Sequence, residues 1–353
     1  MCMTFNLKFV SFTIILLTAN HIFSQKKIIY GKTLPAKEKD TISLVNGVLS
    51  VKYYEAPVIT SNIVNNKFKI AYFSSYPQMY FLSWKSEAKD ILFYGEPIFI
   101  DNSTSEIVAK EKNCEVTGES SSEYIETFVP YILNKSSSTN IDNYIFENGN
   151  EFDSKLANYI KSKNDSYVAL WYLIMRFNEN GYSSFYEEML NSFSKKIKSE
   201  KLWLILNAEF QAITIKENGK FPKLSLKTSE LKDDILKIPD AKFTLIDFWF
   251  SRCRPCLEQM PSLIAIYNTY NVRGFNIIGV STDKTINIDI WKKRIIEKEI
   301  PWKNYLDENA ILASKEKILS FPTNFLLDKN GKIIKKNISP NDLEYFLKEN
   351  LKL

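Results

Sequence analysis

Hydrophobic and polar positions change their period twice along this chain. From residue 26 to about 115, short aromatic-rich runs predict strands: Asp40–Val51, which alternates and carries an Asn46-Gly47 turn signal, then Phe68–Phe73, Met79–Trp84, Ile91–Tyr94 and Ile98–Ile100. Turn-forming clusters such as Asn65-Asn66-Lys67 separate them. A small antiparallel sandwich or barrel would bury the faces of such runs.

From residue 120 to about 215 the period becomes helical. Tyr167–Phe177 is an apolar run too long for a typical strand, and Phe185–Phe193 and Leu202–Phe210 have helical spacing. Gly181 and Lys195–Lys201 read as helix breaks. This block is expected to be a helical connector, with its aromatic residues in the core.

From residue 216 to 353 strands and helices alternate. Strand 242–250 leads into a helix at Pro255–Tyr270, whose Leu257, Met260, Leu263, Ile264 and Tyr267 share one face. Strand Phe275–Ser281 follows, then a helix about Ile288–Glu299, a short run at Trp302 and a helix about Asn309–Ile318. Strands Thr323–Leu327 and Lys332–Lys336 flank the turn Asp328-Lys329-Asn330-Gly331, and a helix about Pro340–Leu351 closes the chain. The expected fold is α/β, a mixed sheet covered by helices on both faces.

The resulting division is 1–25 export signal, 26–118 β-rich domain, 119–215 helical connector and 216–353 α/β domain. A length of 353 residues agrees with two or three domains at roughly 100–200 residues each. In the first segment Lys8 precedes an apolar core, Phe9–Leu17, followed by small and polar residues to Gln25. That core is short against the roughly 20 apolar residues of a membrane span, so an uncleaved anchor is the alternative. No Ala-x-Ala site is present, and Cys2 lies before the core rather than at its end.

Charge and composition then narrow the chemistry. The net charge of +5 is spread along the chain without a long basic run, which points to solubility and away from nucleic acid. Cleavage of the signal would remove His21, the only histidine, and with it Ser-His pairs, Cys-His pairs and histidine metal sites. Only 10 glycines are present, and no phosphate-binding loop, dinucleotide fingerprint or EF-hand pattern appears.

Cys253-Arg254-Pro255-Cys256 carries the chemistry. It joins an apolar strand to an amphipathic helix, where two thiols three residues apart can close a small reversible disulfide. Unpaired N–H groups and the helix dipole stabilise a thiolate there, so a cysteine pKa of ~8.5 can fall to about 3.5–7.5. A zinc site would need two further ligands, and the mature chain offers only the distant Cys114, expected to be an idle thiol. A peroxiredoxin would need Pro and Thr seven and three residues before its cysteine; Ile246 and Phe250 stand there.

These residues resemble the thioredoxin superfamily, and within it the exported TlpA/ResA-type thiol–disulfide oxidoreductases. The shared features are Asp247-Phe248-Trp249, Cys253-x-x-Cys256, Pro261, Phe321-Pro322-Thr323 and the Asp328…Gly331 hairpin, with an insert between Thr282 and Asp307. The resemblance covers about the last 135 residues. The segment from Ile28 to about Gly118 resembles, in pattern only, a domain of unknown function that often precedes thioredoxin modules in exported bacterial proteins.

The resemblance implies roles. Cys253, at an exposed helix N-terminus, would attack and Cys256 would resolve the mixed disulfide. Asp247 would be a buried acid beneath the pair, relaying a proton or serving as a hydrogen-bonded structural group. Pro322 would be cis and would shape a loop for substrate backbone, or else be an ordinary trans turn proline. Trp249, Phe321 and Thr323 would line the site, with Trp249 packing rather than reacting. Arg252 stands where the family usually has Trp, and Gln259 where it often has a glutamate. Arg252 and Arg254 would either favour the thiolate or point to solvent. Gln259 cannot titrate, and Glu258 lies about 100° around the helix, so proton handling falls to Asp247 or water.

The expected partners are protein thiols or disulfides, with a membrane thiol reductase as electron donor in the cell envelope or periplasm. No cofactor, metal or nucleic acid is expected. The competing reading is an envelope binding module whose thioredoxin-like domain serves docking rather than catalysis.

Overall fold

The structure is a computed structural model that describes residues 27–34, 41–86, 89–110, 113–134 and 140–351. The expected export segment, 1–25, with Cys2 and His21, lies outside the described residues. Among the described residues no helix is long and apolar enough to cross a membrane.

The first strands are β1 (Lys27–Thr33), β2 (Thr41–Asn46), β3 (Val58–Asn62), β4 (Lys67–Tyr72), β5 (Gln78–Ser86), β6 (Lys89–Ile100), β7 (Glu106–Ala109) and β8 (Cys114–Val116). They form two four-stranded sheets, ordered β4-β1-β7-β8 and β3-β2-β5-β6. The second is antiparallel throughout. In the first, β1 and β7 run parallel, which corrects the expected all-antiparallel pairing. Local turn signals cannot encode a pairing between strands so distant in sequence.

Two further expectations change. Asn46-Gly47 ends β2 without making a two-residue hairpin, because the chain first runs through a 3-10 turn at Val51–Tyr53. The two-residue turn is instead Asn65-Asn66, both at positive φ, closed by reciprocal bonds between Val64 and Lys67 at 2.8 and 3.0 Å. The runs Ile91–Tyr94 and Ile98–Ile100 belong to one strand, β6. Its Pro97, which has no N–H, faces Phe81, where the register of β5 shifts.

The helices that follow are α1 (Glu119–Glu123), α2 (Val129–Leu133), α3 (Ile141–Ser162), α4 (Tyr167–Asn180), α5 (Ser184–Asn191), α6 (Lys195–Lys198) and α7 (Lys201–Ala212). Lys195–Lys201, expected as a break, contains the short helix α6, capped by Ser194. The long helix α3 was not anticipated. Asn148-Gly149-Asn150 interrupts its pattern, and Asn148 is non-helical there (φ −133°, ψ 39°). These helices are more than a connector: one buried cluster runs from Ile29 to Ile213 and joins them to both sheets. Trp171 of α4 lies at the junction, 4.9 Å from Tyr54 by ring centroids, with its indole N–H donated to the Pro77 carbonyl at 2.8 Å.

The last third contains β9 (Ser225–Lys227), β10 (Asp233–Ile235), β11 (Phe243–Trp249), α8 (Arg254–Tyr270), β12 (Phe275–Ser281), α9 (Ile288–Glu297), β13 (Lys303–Leu306), α10 (Ile311–Lys315), β14 (Thr323–Asp328), β15 (Ile333–Lys336) and α11 (Pro340–Asn350). The sheet order is β10-β9-β13-β12-β11-β14-β15. β11, β12 and β13 are mutually parallel, and β14 pairs antiparallel to β11. This is a thioredoxin-like mixed sheet. The helix expected about Asn309–Ile318 shrinks to α10, because Asn309, Ala310 and Lys317 all take positive φ.

Successive side chains of β11 serve two cores. Leu245 and Trp249 join a cluster with Cys253, Cys256, Met260 and Leu263, under α8. Ile246 and Phe248 join the cluster on the opposite face.

Candidate active site

β11 ends at Trp249, and four residues later Cys253 caps α8. Pro255 lies in the first turn of α8, where its missing N–H costs nothing. Cys253 and Cys256 form a disulfide with their Cα atoms 5.3 Å apart. The Cys253 sulfur also accepts the backbone N–H of Cys256 at 3.2 Å. It therefore occupies the position where a capping oxygen would sit, in the field of the helix N-terminus. The expectation of an exposed Cys253 is corrected: in the bonded state Cys253 is 3% and Cys256 2% exposed. Both join the core beneath α8.

Asp247 is two residues from both Leu245 and Trp249, so it lies on the face of the sheet that carries the disulfide. It is 3% exposed, and its Oδ1 has no hydrogen-bond partner among the described residues. Burial pushes its carboxyl from the ordinary 3.8 up to about 7.

The register extends the site sideways. Asp247 pairs with Gly279 on one side and Asn324 on the other, and Gly279 pairs with Asn304. The Asn304 amide oxygen accepts the Trp249 indole N–H at 3.2 Å. A Cβ on Gly279 would stand 2.1 Å from that oxygen, so the contact requires glycine. Trp249 is thus locked in place, in keeping with a packing role.

The Phe321-Pro322 peptide is cis. Phe248 pairs with Thr323, which brings Pro322 to the end of β11 where the cysteine loop begins. The Phe250 and Phe321 rings meet edge-on at 5.5 Å and join the two loops. Thr323 is buried, with its hydroxyl donated to the Ser320 carbonyl at 2.8 Å. The structure therefore brings together Asp247, Trp249, the disulfide, Phe321, Pro322 and Thr323.

The arginines stand apart. Arg252 is exposed, and the Arg254 side chain is 89% exposed, with its Nε donated to Glu258 at 2.7 Å. Gln259 is half-buried. Cys114 lies on β8, half-buried, with its thiol pushed up to about 12, first by burial and then by Glu115. Sequence reasoning missed Asn304, Ser251 and Asp283. Ser251 and Asp283 follow the C-terminal ends of adjacent parallel strands, a placement that marks ligand and reaction sites in open α/β sheets and could have flagged them.

A Cys-x-x-Cys disulfide at a strand-to-helix junction of a thioredoxin-like sheet, with a cis proline just before the strand beside β11, fits the class of thiol–disulfide oxidoreductases. The Redoxin family profile matches residues 216–350. The thiol-disulfide oxidoreductase ResA of Bacillus thuringiensis is 30% identical over 127 residues, covering 35% of this chain and 69% of the relative. The sporulation thiol-disulfide oxidoreductase A of Bacillus subtilis is 29% identical over 121 residues, covering 34% of this chain and 72% of the relative. Among solved structures, the thioredoxin domain of a thiol-disulfide oxidoreductase from Bacteroides vulgatus is 28% identical, with a TM-score of 0.36, covering 39% of this chain and all of that one. The chain belongs to the ResA-like thiol-disulfide oxidoreductases.

Proposed function

We propose that this is an exported thiol–disulfide oxidoreductase in which Cys253 and Cys256 reduce disulfides of protein substrates in the cell envelope. The Cys253 thiolate attacks a substrate disulfide, forms a mixed disulfide and releases one substrate thiolate. Asp247 takes the proton of Cys256, directly or through water, and the Cys256 thiolate then attacks the Cys253 sulfur. That step releases the second substrate thiolate and closes the Cys253–Cys256 disulfide. Pro322 shapes the loop on which substrate backbone is held. A membrane thiol reductase returns two electrons to the pair. Residues 1–25 direct export, and the divisions at 118 and 215 mark segments of one N-terminal unit followed by the redox domain.

The observation that carries this reading is the Cys253 sulfur at the cap of α8, accepting the Cys256 N–H, on the face that holds Asp247. The reductase direction draws support from the charges. Arg254 is exposed and paired with Glu258, so water and its partner screen its pull on a thiolate. With Arg254 screened, the thiolate has the helix field but little further stabilisation from that charge, which shifts the couple towards the bonded form and towards donating electrons.

The test is insulin reduction by the full-length mature protein with dithiothreitol. Wild type is expected to accelerate it, and Cys253→Ser to match the buffer control; equal rates for both proteins would remove the redox reading. The potential of the couple is expected nearer to about −270 mV than to about −120 mV, the reducing and oxidising ends of the dithiol scale.

A further inference from the structure

We propose that Asp283 is a positioning residue for Cys253, holding the cysteine loop in the geometry that sets the sulfur at the cap of α8. The proposal rests on the reading of Cys253 as nucleophile. Asp283 lies just beyond β12 and is 2% exposed. Its Oδ2 accepts the Ser251 backbone N–H at 2.8 Å and the Ser281 hydroxyl at 2.7 Å. Its Oδ1 accepts the Ser251 hydroxyl at 2.7 Å. Ser251 is fully buried and stands two residues before Cys253, so this carboxylate grips the turn from strand to helix by both backbone and side chain.

Asp283 is itself fixed. Its N–H is donated to the Ser281 hydroxyl at 3.2 Å, and its carbonyl accepts the Asn309 N–H at 2.9 Å. The carboxylate thus ties the end of β11 to the end of β12, and the Asp283 backbone adds the loop after β13. The exchange reaction makes no chemical use of it. The ionisable groups on the surrounding elements include Asp247, Arg252, Arg254 with Glu258, Lys284, Lys303, Asp307 and Glu308.

Charge and positioning predict opposite signs. As a nearby negative charge alone, Asp283 would oppose a Cys253 thiolate, and any neutral substitution would favour it. As a positioning group, it keeps the sulfur in the helix field, and losing the grip would disfavour the thiolate even though a negative charge has gone. Asp283→Asn separates the two. Its amide oxygen can still accept the Ser251 N–H, while the Ser251 hydroxyl turns to accept from the amide.

The experiment is alkylation of the reduced full-length protein by iodoacetamide across pH, read at Cys253 by peptide mass spectrometry, with Cys114 resolved as an internal control. For Asp283→Ala the midpoint is expected to rise by about one pH unit, slowing alkylation near neutral pH about tenfold. For Asp283→Asn it is expected at or below the wild-type midpoint. A fall in both variants would make Asp283 a charge only, and no change in Asp283→Ala would make it merely structural; either overturns the proposal. Should Asp283→Ala fail to fold, Ser251→Ala removes the hydroxyl contact and keeps the charge. Its midpoint is expected to rise by roughly half a unit, and an unchanged midpoint overturns the proposal. Failure of the nucleophile reading shows separately, as a wild-type Cys253 that never alkylates after reduction.

Discussion

Asp247→Asn should make the protein more stable at alkaline pH and remove a pH dependence that wild type shows. The buried carboxyl is shifted by desolvation from 3.8 to about 7. Below about pH 4 the folded and unfolded chains both hold the proton. Between about 4 and 7 the folded chain keeps it and the unfolded chain loses it, so stability falls as pH rises. Above about 7 the whole penalty is present. The interval covers roughly three pH units, and at about 1.36 kcal/mol per unit the penalty approaches 4 kcal/mol. Asparagine fills nearly the same volume and never ionises, so the variant escapes this cost. Urea unfolding of the oxidised full-length protein between about pH 4 and pH 8 measures it. With an m-value of about 1–3 kcal/mol/M, the midpoint of the variant should gain on wild type by about 1 M or more across that range. A difference between variant and wild type that stays constant with pH, within about 0.5 kcal/mol, would refute the assignment of a neutral, unpaired carboxyl beneath the disulfide.

Other substitutions probe the supports of the site. Gly279→Ala sets a methyl 2.1 Å from the Asn304 oxygen and should cost about 1–3 kcal/mol, with a change in tryptophan fluorescence as the Trp249 contact breaks. Glu316 accepts the N–H groups of Thr214 and Ile215 at 2.7 and 2.9 Å and the Thr214 hydroxyl at 2.8 Å. Glu316→Ala should loosen the junction between the two halves by about 1–3 kcal/mol, seen as faster limited proteolysis around residue 214. Asp153 holds buried Arg176 through two bonds, at 2.6 and 3.0 Å, and accepts the Tyr186 hydroxyl at 2.7 Å. Asp153→Ala should destabilise the N-terminal half by about 3–5 kcal/mol in calorimetry, because it strands a buried guanidinium. Cys256→Ser should accumulate a mixed disulfide through Cys253, visible on non-reducing gels.

The redox half was the more legible in sequence, for reasons visible in particular elements. β12 is a mostly apolar run, and its predicted bounds, Phe275–Ser281, match those observed. β9 and β10 have three residues each, too few to show any period, and exist because they extend a sheet already nucleated by β13. In the other half the hydrophobic pattern found β2, β4, β5 and β6, half of the strands, but not their partners. The parallel pairing of β1 with β7 comes from tertiary packing, and the kink at Asn148 hid the longest of the described helices.

The candidate site divides along the same line. Cys253, Cys256 and Asp247 lie within one strand–turn–helix, so a single short motif carries the resemblance that links them. Asn304, Ser281 and Asp283 come from strands and loops further on, and their meaning depends on the register Asp247–Gly279–Asn304, which no local pattern encodes. The same register bears on the departure at Gln259. With an amide on the helix, the titratable group facing the disulfide core is Asp247, and Gly279 beside it adds no side chain of its own. In the proposed mechanism the strand supplies the acid and the helix supplies the N–H field. Under the proposed mechanism, the pH response of the exchange reaction should therefore follow Asp247 and be insensitive to Gln259→Ala. A pH profile altered by Gln259→Ala and unchanged by Asp247→Asn would place proton transfer on the helix instead.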